Sequence, residues 1–454
     1  DIDIYDASSA VTTVTAANMK SFDTYTLGTV DAPQATSITG SVSDQAAVFG
    51  SAGATVPNSV SIIITGSVTN AAQDVTDLDT IVSADTGTIT AITFANDAAV
   101  EANKSSIADS NVGNASSSIT DGNITTSKAA VLGSIGKFAT AQITDITITA
   151  GEYNTAGTAN LAAFKNGDAS DGVTISGAVT NGADLTYLIG NLSKIKDGGI
   201  TDITLTDAEA ATAGVLSDAA IAATSVTISE DVTTSEAAVL ASIGKIATNG
   251  ISAISLDDAE VGTHLTLANF AAFQDDSITL NEGSISGNDE TSAVVSYYAK
   301  IKDNQVSSIT LTDGQAATAN LLSDGSISAT SVTISEDVTT SEAAVLASIG
   351  KIATNGITDI TITAGEYNTA GTANLAAFKN GDASDGVTIS GAVTNGADLT
   401  YLIGNLSKIK DGGITDITLT DAEAATAGVL SDAAIAATSV TISEDVTTSE
   451  AAVL

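Results

Sequence analysis

Apolar residues recur along most of the chain in one spacing, apolar-x-x-apolar-x-apolar. It reads Ile143, Ile146, Ile148; then Ile200, Ile203, Leu205; then Ile251, Ile254, Leu256; then Val306, Ile309, Leu311. The last two positions of each set flank a Thr or Ser, a period of two that predicts a short strand. Helical spacing follows. Leu185, Leu188, Ile189, Leu192 and Ile195 fall at i, i+3, i+4, i+7 and i+10, one apolar stripe of a helix. The Ala-rich run 207–222 also reads as helical. In residues 233–250, Thr233 and Glu236 predict a capping box, and Asn249-Gly250 predicts the helix stop.

The alternation is repeated, in places letter for letter. Residues 143–240 are identical to 357–454, and residues 223–251 are identical to 329–357. The offsets, 214 and 106, define blocks of about 107 residues, each holding four strand–helix units of 24–30 residues. Upstream, residues 36–117 carry degenerate strands of the same kind, as in "SVSIIITGSV" and "TITAITFA". Residues 1–35 fit least and read as an atypical, cap-like N-terminal segment, as end repeats often are. Residues 118–454 read as regular repeats that break off in mid-repeat. Leu240 and Leu346 are each followed by "ASIGKIATNGI", whereas the last copy stops at Leu454 inside an expected helix. The expectation is a longer parent chain.

The strand spacing resembles that of leucine-rich repeats, over nearly every unit from about residue 118 onward. The resemblance implies an α/β fold: a repetitive β/α solenoid with a parallel sheet on one face and helices on the other. The physics points the same way. A strand of four to six residues followed by a helix buries its apolar side only on neighbours of the same shape. Parallel strands need helical crossovers, and these are right-handed.

Composition narrows what such a chain can do. Its 454 residues hold 54 Asp and Glu against 14 Lys and no Arg, a net charge of −40. Nucleic-acid binding needs clustered basic residues, which are missing. No apolar stretch reaches the roughly 18 residues of a membrane span. Cys is absent, so disulfides and thiolate metal sites are excluded. At 43% apolar residues the chain is not a disordered acidic tail.

Two candidate sites follow from the strand ends. Carboxylates cluster there, with Glu230 and Asp231 in one unit, Asp207 and Glu209 in another, and Asp257 and Asp258 in a third. Oxygen ligands of this kind suit Ca²⁺. The same residues also suit helix N-termini, where negative charge is favoured. The second candidate is a hydroxyl ladder on the outer sheet face: Thr147, Thr149, Thr174, Thr204, Thr206, Thr227, Thr310 and Thr312. Its Thr-x-Thr pairs resemble those of ice-binding solenoids, which implies a ligand-binding face. The same residues also suit any solvent-facing strand.

Catalytic signatures are lacking. His264 is the one histidine, and no nucleophile elbow or phosphate loop is present. Lys165, Lys194, Lys196, Lys245, Lys300 and Lys302 fall near expected helix C-termini, a dipole role. The sequons at Asn114, Asn123, Asn191 and Asn405 leave room for glycan.

The acidic, Cys-free, Thr- and Ala-rich repeats are similar in composition to giant repetitive bacterial surface-layer proteins and adhesins. The resulting expectation is a non-enzymatic, extracellular structural protein that self-associates into a surface layer, filament, sheath or adhesin stalk. Two alternatives are a module that binds glycan, ice or a partner protein through its Thr-rich face, and a phage fibre or particle appendage.

Overall fold

The computed structural model describes residues 2, 3, 13–180, 182–394 and 396–454. Of the cap-like segment 1–35, residues 1 and 4–12 lie outside that set. The fold is α/β. Short strands pair in parallel and helices alternate with them along the chain. Contacts divide the chain into two compact units, Asp1–Thr227 with Gly244–Ala247, and Ile228–Ile243 with Thr248–Leu454.

In the first unit, strands Thr13–Thr15, Ser37–Gly40, Ser61–Val68, Thr88–Phe94 and Ser117–Ile119 form one parallel sheet in chain order. Strands Asn123–Ile124, Asp145–Ile148, Gly172–Ile175 and Ile195–Ile200 form another. In the second unit, Ser284–Ile285 pairs with Ser308–Leu311, which pairs with Val332–Ile334. Asp359–Thr363 pairs with Gly386–Ser390, which pairs with Ile409–Ile414.

The recurring apolar triplet explains this packing. Ile143, Ile146 and Ile148 are each at most 1% exposed, as are Val306, Ile309 and Leu311, while Thr147 and Thr310 between them face solvent. The period of two therefore separates core from water within each strand. Register keeps like beside like: Ile146 lies opposite Val173 and Ile148 opposite Ile175. Phe138, Phe164, Phe273 and Phe378 close the core at one repeated position, each directly after a 3-10 turn. Ile301 and Ile352 fill that position in other units.

Six strands lead into their helices with no loop. Thr149, Thr206, Asp257, Thr312, Thr363 and Thr420 are N-caps, each in a capping box with the Glu or Gln three residues on. Each box satisfies N–H groups at the helix start and fixes the chain's turn.

The helices are shorter than the pattern predicts. The stripe Leu185–Ile195 is divided: Gly182–Gly190 is helix, Leu192–Lys194 a 3-10 turn, and Ile195 the start of a strand. Asn191 stops the helix. It leaves helical geometry at φ −135°, ψ 32°, and its Nδ2 donates to the Tyr187 carbonyl at 2.8 Å. The Ala-rich run 207–222 forms only a four-residue helix, Asp207–Ala210, and then turns. Thr212 is β-branched and Gly214 sits at φ +84°, a left-handed backbone that ends the helix although Ala and Leu follow. In 233–250, helix Glu236–Ala241 ends well before the expected Asn249-Gly250 stop, as helix Glu342–Ala347 does before Asn355-Gly356 in the identical copy. Asn355 instead occupies a left-handed turn at φ +57°, two residues ahead of the buried Ile357.

That left-handed position recurs. Ala141, Asp276, Asn304 and Thr330 also stand two residues before a buried Ile or Val, at φ of +55° to +59°. Asn and Asp tolerate this backbone, whereas Ala and Thr are strained in it.

Candidate functional site

The threonines of the expected ladder fall into two groups. Thr147 and Thr174 pair in register on adjacent strands, and Thr310 pairs with Thr333. Thr204 and Thr227 sit at the centres of three-residue strands, half-buried between buried neighbours. Thr149, Thr206 and Thr312 lie one residue beyond their strands and serve as N-caps. Their hydroxyls accept from Glu152, Glu209 and Gln315 N–H, each at 3.2 Å. One hydroxyl of each Thr-x-Thr pair is thus engaged in starting a helix.

The acidic candidates are spread over different roles. Glu209 completes the box with Thr206, and Asp257 is itself an N-cap paired with Glu260. Asp207 is the buried first residue of its helix. Asp258 accepts from Ser286 Oγ at 3.3 Å. Glu230 and Asp231 are exposed in the loop after strand Val226–Ile228. Among the described residues no group of three or more His, Asp or Glu side chains is placed to hold a metal ion. His264, half-buried, stands in the last turn of helix Asp258–His264.

The densest side-chain chemistry lies where one strand–helix unit meets the next. Asp313, first residue of its helix and 6% exposed, reaches the Thr339-Thr340-Ser341 segment one unit later. It accepts from Thr339 N at 3.1 Å, Thr339 Oγ1 at 2.8 Å, Thr340 N at 2.7 Å, Ser341 N at 3.0 Å and Ser341 Oγ at 2.6 Å. Those N–H groups lie at the start of helix Glu342–Ala347, whose own N-cap, Ser341, makes no side-chain capping bond. One unit therefore caps the helix of the next. Asp421 does the same for Thr447, Thr448 and Ser449. Asp97 does so for Thr125, Thr126 and Ser127.

This arrangement governs the charge state. Burial disfavours the ionised form of Asp313 and Asp97. The bonds from the Ser hydroxyl, the backbone N–H groups and the Thr hydroxyl outweigh it and hold both carboxyls well below the usual carboxylate range. At Asp421 the Ser449 hydroxyl leads the same effect.

Lysines tie the units in the opposite direction. Lys351, at the end of its 3-10 turn, donates back to the Ile327 carbonyl and to that of Asp324 at 3.2 Å. Lys245 does likewise to Ile221 and Asp218, and Lys194 donates to the Phe164 carbonyl at 2.9 Å. Others pair with acids: Lys196 with Asp145, Lys300 with Asp275, and Lys165 with Asp171. Tyr153 and Tyr367 are fully buried, and their hydroxyls donate to the Asn191 and Asn405 carbonyls at 2.7 and 2.8 Å.

The inter-unit Asp was missed by the sequence reading, which placed a capping box at Thr233 and Glu236. For Asp313 and Asp421 the signal was present as a pair of motifs, a Thr-Asp after one strand and a Thr-Thr-Ser 26–28 residues later; Asp97 follows an Asn instead, with its Thr-Thr-Ser 28–30 residues on. In a different setting, Glu236 is half-buried beside Glu260. Burial, the Glu260 charge, a hydrogen bond to Glu260 and nearby Asp257 push its carboxyl up. Among the described residues no helix is long and apolar enough to cross a membrane. No protein-family model matches the chain, and no curated protein matches it.

Proposed function

We propose that the chain is a β/α solenoid of leucine-rich-repeat style and acts as an extracellular structural element of a bacterial cell surface. The forms it suits are a surface layer, a filament or sheath, or an adhesin stalk, built by self-association rather than by catalysis. The observation that carries this reading is the repeated clamp between successive units. Asp97, Asp313 and Asp421 each hold the next unit's Thr-Thr-Ser or its equivalent. Polar side chains are committed at intervals to joining one unit to the next, which suits a protein whose product is length. A net charge of −40 adds mutual repulsion between neighbouring copies, so lateral assembly is expected to need divalent cations or salt.

Two measurements test the reading. Removing residues 223–328 joins two identical stretches and leaves the sequence around the junction unchanged. A solenoid retains its circular dichroism and cooperative unfolding after this excision, because each unit touches only its neighbours. Collapse to an unfolded chain would refute it. Antibodies against the chain should label intact cells in a continuous or filamentous pattern; labelling that requires permeabilisation would refute the surface role.

A further inference from the structure

The outer face of strands Ser284–Ile285, Ser308–Leu311 and Val332–Ile334 differs from its counterparts. On strands Asp145–Ile148 and Asp359–Thr363 the first residue is an Asp, paired with Lys196 at 3.5 Å and Lys410 at 2.6 Å. Ser308 stands at that position in its strand, directly opposite Ser284. A depression of about 530 Å³ lies there, lined among others by Ser284, Asn288, Ser308, Thr310, Thr312 and Gln315, whereas the depression of about 470 Å³ on the Asp359–Thr363 face is lined by Asp337, Glu342, Asp359 and Lys410. None of its lining residues carries a formal charge, in a chain of net charge −40.

The chemistry of the lining specifies a ligand class. Thr312 Oγ1 accepts from Gln315 N at 3.2 Å, and Gln315 Oε1 accepts from Thr312 N at 2.9 Å. One acceptor lone pair of each is engaged in the capping box, which leaves the cleft a hydroxyl O–H and an amide NH₂ as donors beside the remaining lone pairs. Ser284, Ser308, Thr310 and Asn288 offer groups that donate and accept. The methyl groups of Thr310 and Thr312 add small apolar areas. An anion would be repelled by the protein's field, and a cation would find no carboxylate among the lining residues. A molecule dense in hydroxyls, uncharged and with small apolar C–H faces matches all of these. The volume lies within the roughly 300–1,000 Å³ of small-molecule clefts.

We propose that this depression binds a neutral oligosaccharide. The site stands apart from the structural role proposed above and does not depend on it. The full chain should be titrated with maltotriose, cellotriose and laminaritriose, with trigalacturonate as the charged comparator, by saturation-transfer NMR and calorimetry. At least one neutral trisaccharide should bind with a dissociation constant of about 1 mM or tighter, and trigalacturonate should not. Thr310→Val keeps the side-chain shape and deletes one hydroxyl, and should weaken binding about fivefold. Ser308→Phe should fill the cleft and abolish binding. Thr147→Val, the matching change on an outer strand face in the other unit, should leave affinity unchanged. The proposal is overturned if no neutral trisaccharide binds at 10-fold that concentration, if trigalacturonate binds as well, or if Thr310→Val and Thr147→Val have the same effect.

Discussion

Asp313 holds Ser341 through two of its bonds at once, 3.0 Å from the backbone nitrogen and 2.6 Å from the hydroxyl, across 28 residues of chain. Deleting the carboxylate strands several partly buried N–H donors at the start of a helix. Asp313→Ala should therefore cost about 3 kcal/mol, since a bond to a charged acceptor contributes ~1.5–3 kcal/mol and buried orphan donors add to the loss. Urea denaturation at pH 7 measures it. Glu342→Gln, within the first turn of the capped helix but outside the clamp, should cost well under half as much.

The pH dependence follows from the same clamps. Folding depresses the Asp97, Asp313 and Asp421 carboxyls below their unfolded values, so the unfolded chain binds more protons as pH falls. Their contribution is fully present above about pH 4 to 5 and is lost progressively as pH drops below that, toward the folded-state values. Glu236 acts in the opposite sense. Its folded carboxyl is raised, so the folded state holds the proton longer and stability falls as pH rises from about 4.5 through that raised value. Urea midpoints between pH 3 and pH 7 should drop steeply at the acid end in the wild type. Glu236→Gln should remove a shallow loss that begins as pH rises past about 4.5.

Tyr153 and Tyr367 offer an internal control. From residues 143 and 357 onward their surroundings are the same letters in two copies, and both hydroxyls donate to an Asn carbonyl. Tyr153→Phe and Tyr367→Phe should each cost about 1–2 kcal/mol, from a lost bond and an unsatisfied carbonyl. The two values should agree within error in calorimetry. A large difference would mean that one copy packs differently.

The strained left-handed positions predict gains. Ala141 and Thr330 hold φ of +58° and +55° where Asn304 and Asn355 stand in matching turns. Ala141→Gly and Thr330→Gly should each stabilise by ~0.5–1 kcal/mol, the left-handed penalty less the added chain entropy of glycine. The same change at Asn355 should gain little, and thermal unfolding separates the two cases.

Much of the α/β character was legible in advance because strands announce themselves locally. The Ile-x-x-Ile-x-Ile spacing puts burial and exposure on alternate residues, and Ile143, Ile146 and Ile148 are buried accordingly. Helix ends were read less well. The stripe through Leu192 and Ile195 keeps helical spacing across a 3-10 turn and into a strand, since all three conformations can point those residues at one core. The hydroxyl ladder was half visible. A Thr on a strand and a Thr capping the helix behind it look alike in sequence, and only the position of the strand's last residue separates Thr147 from Thr149. The clamp was hidden for another reason: Asp313 and Ser341 meet only after a whole strand–helix unit has folded between them.

That clamp gives the polypeptide an arrow. Each carboxylate serves the helix that comes after it, and each reaching lysine serves the carbonyls that came before. A segment arriving at a finished predecessor finds its anchor in place and needs only its own lysine to complete the seam. A segment that orders first must wait with its leading N–H groups bare. Construction from the amino end toward the carboxyl end is therefore the smoother route, the order in which a ribosome delivers the chain.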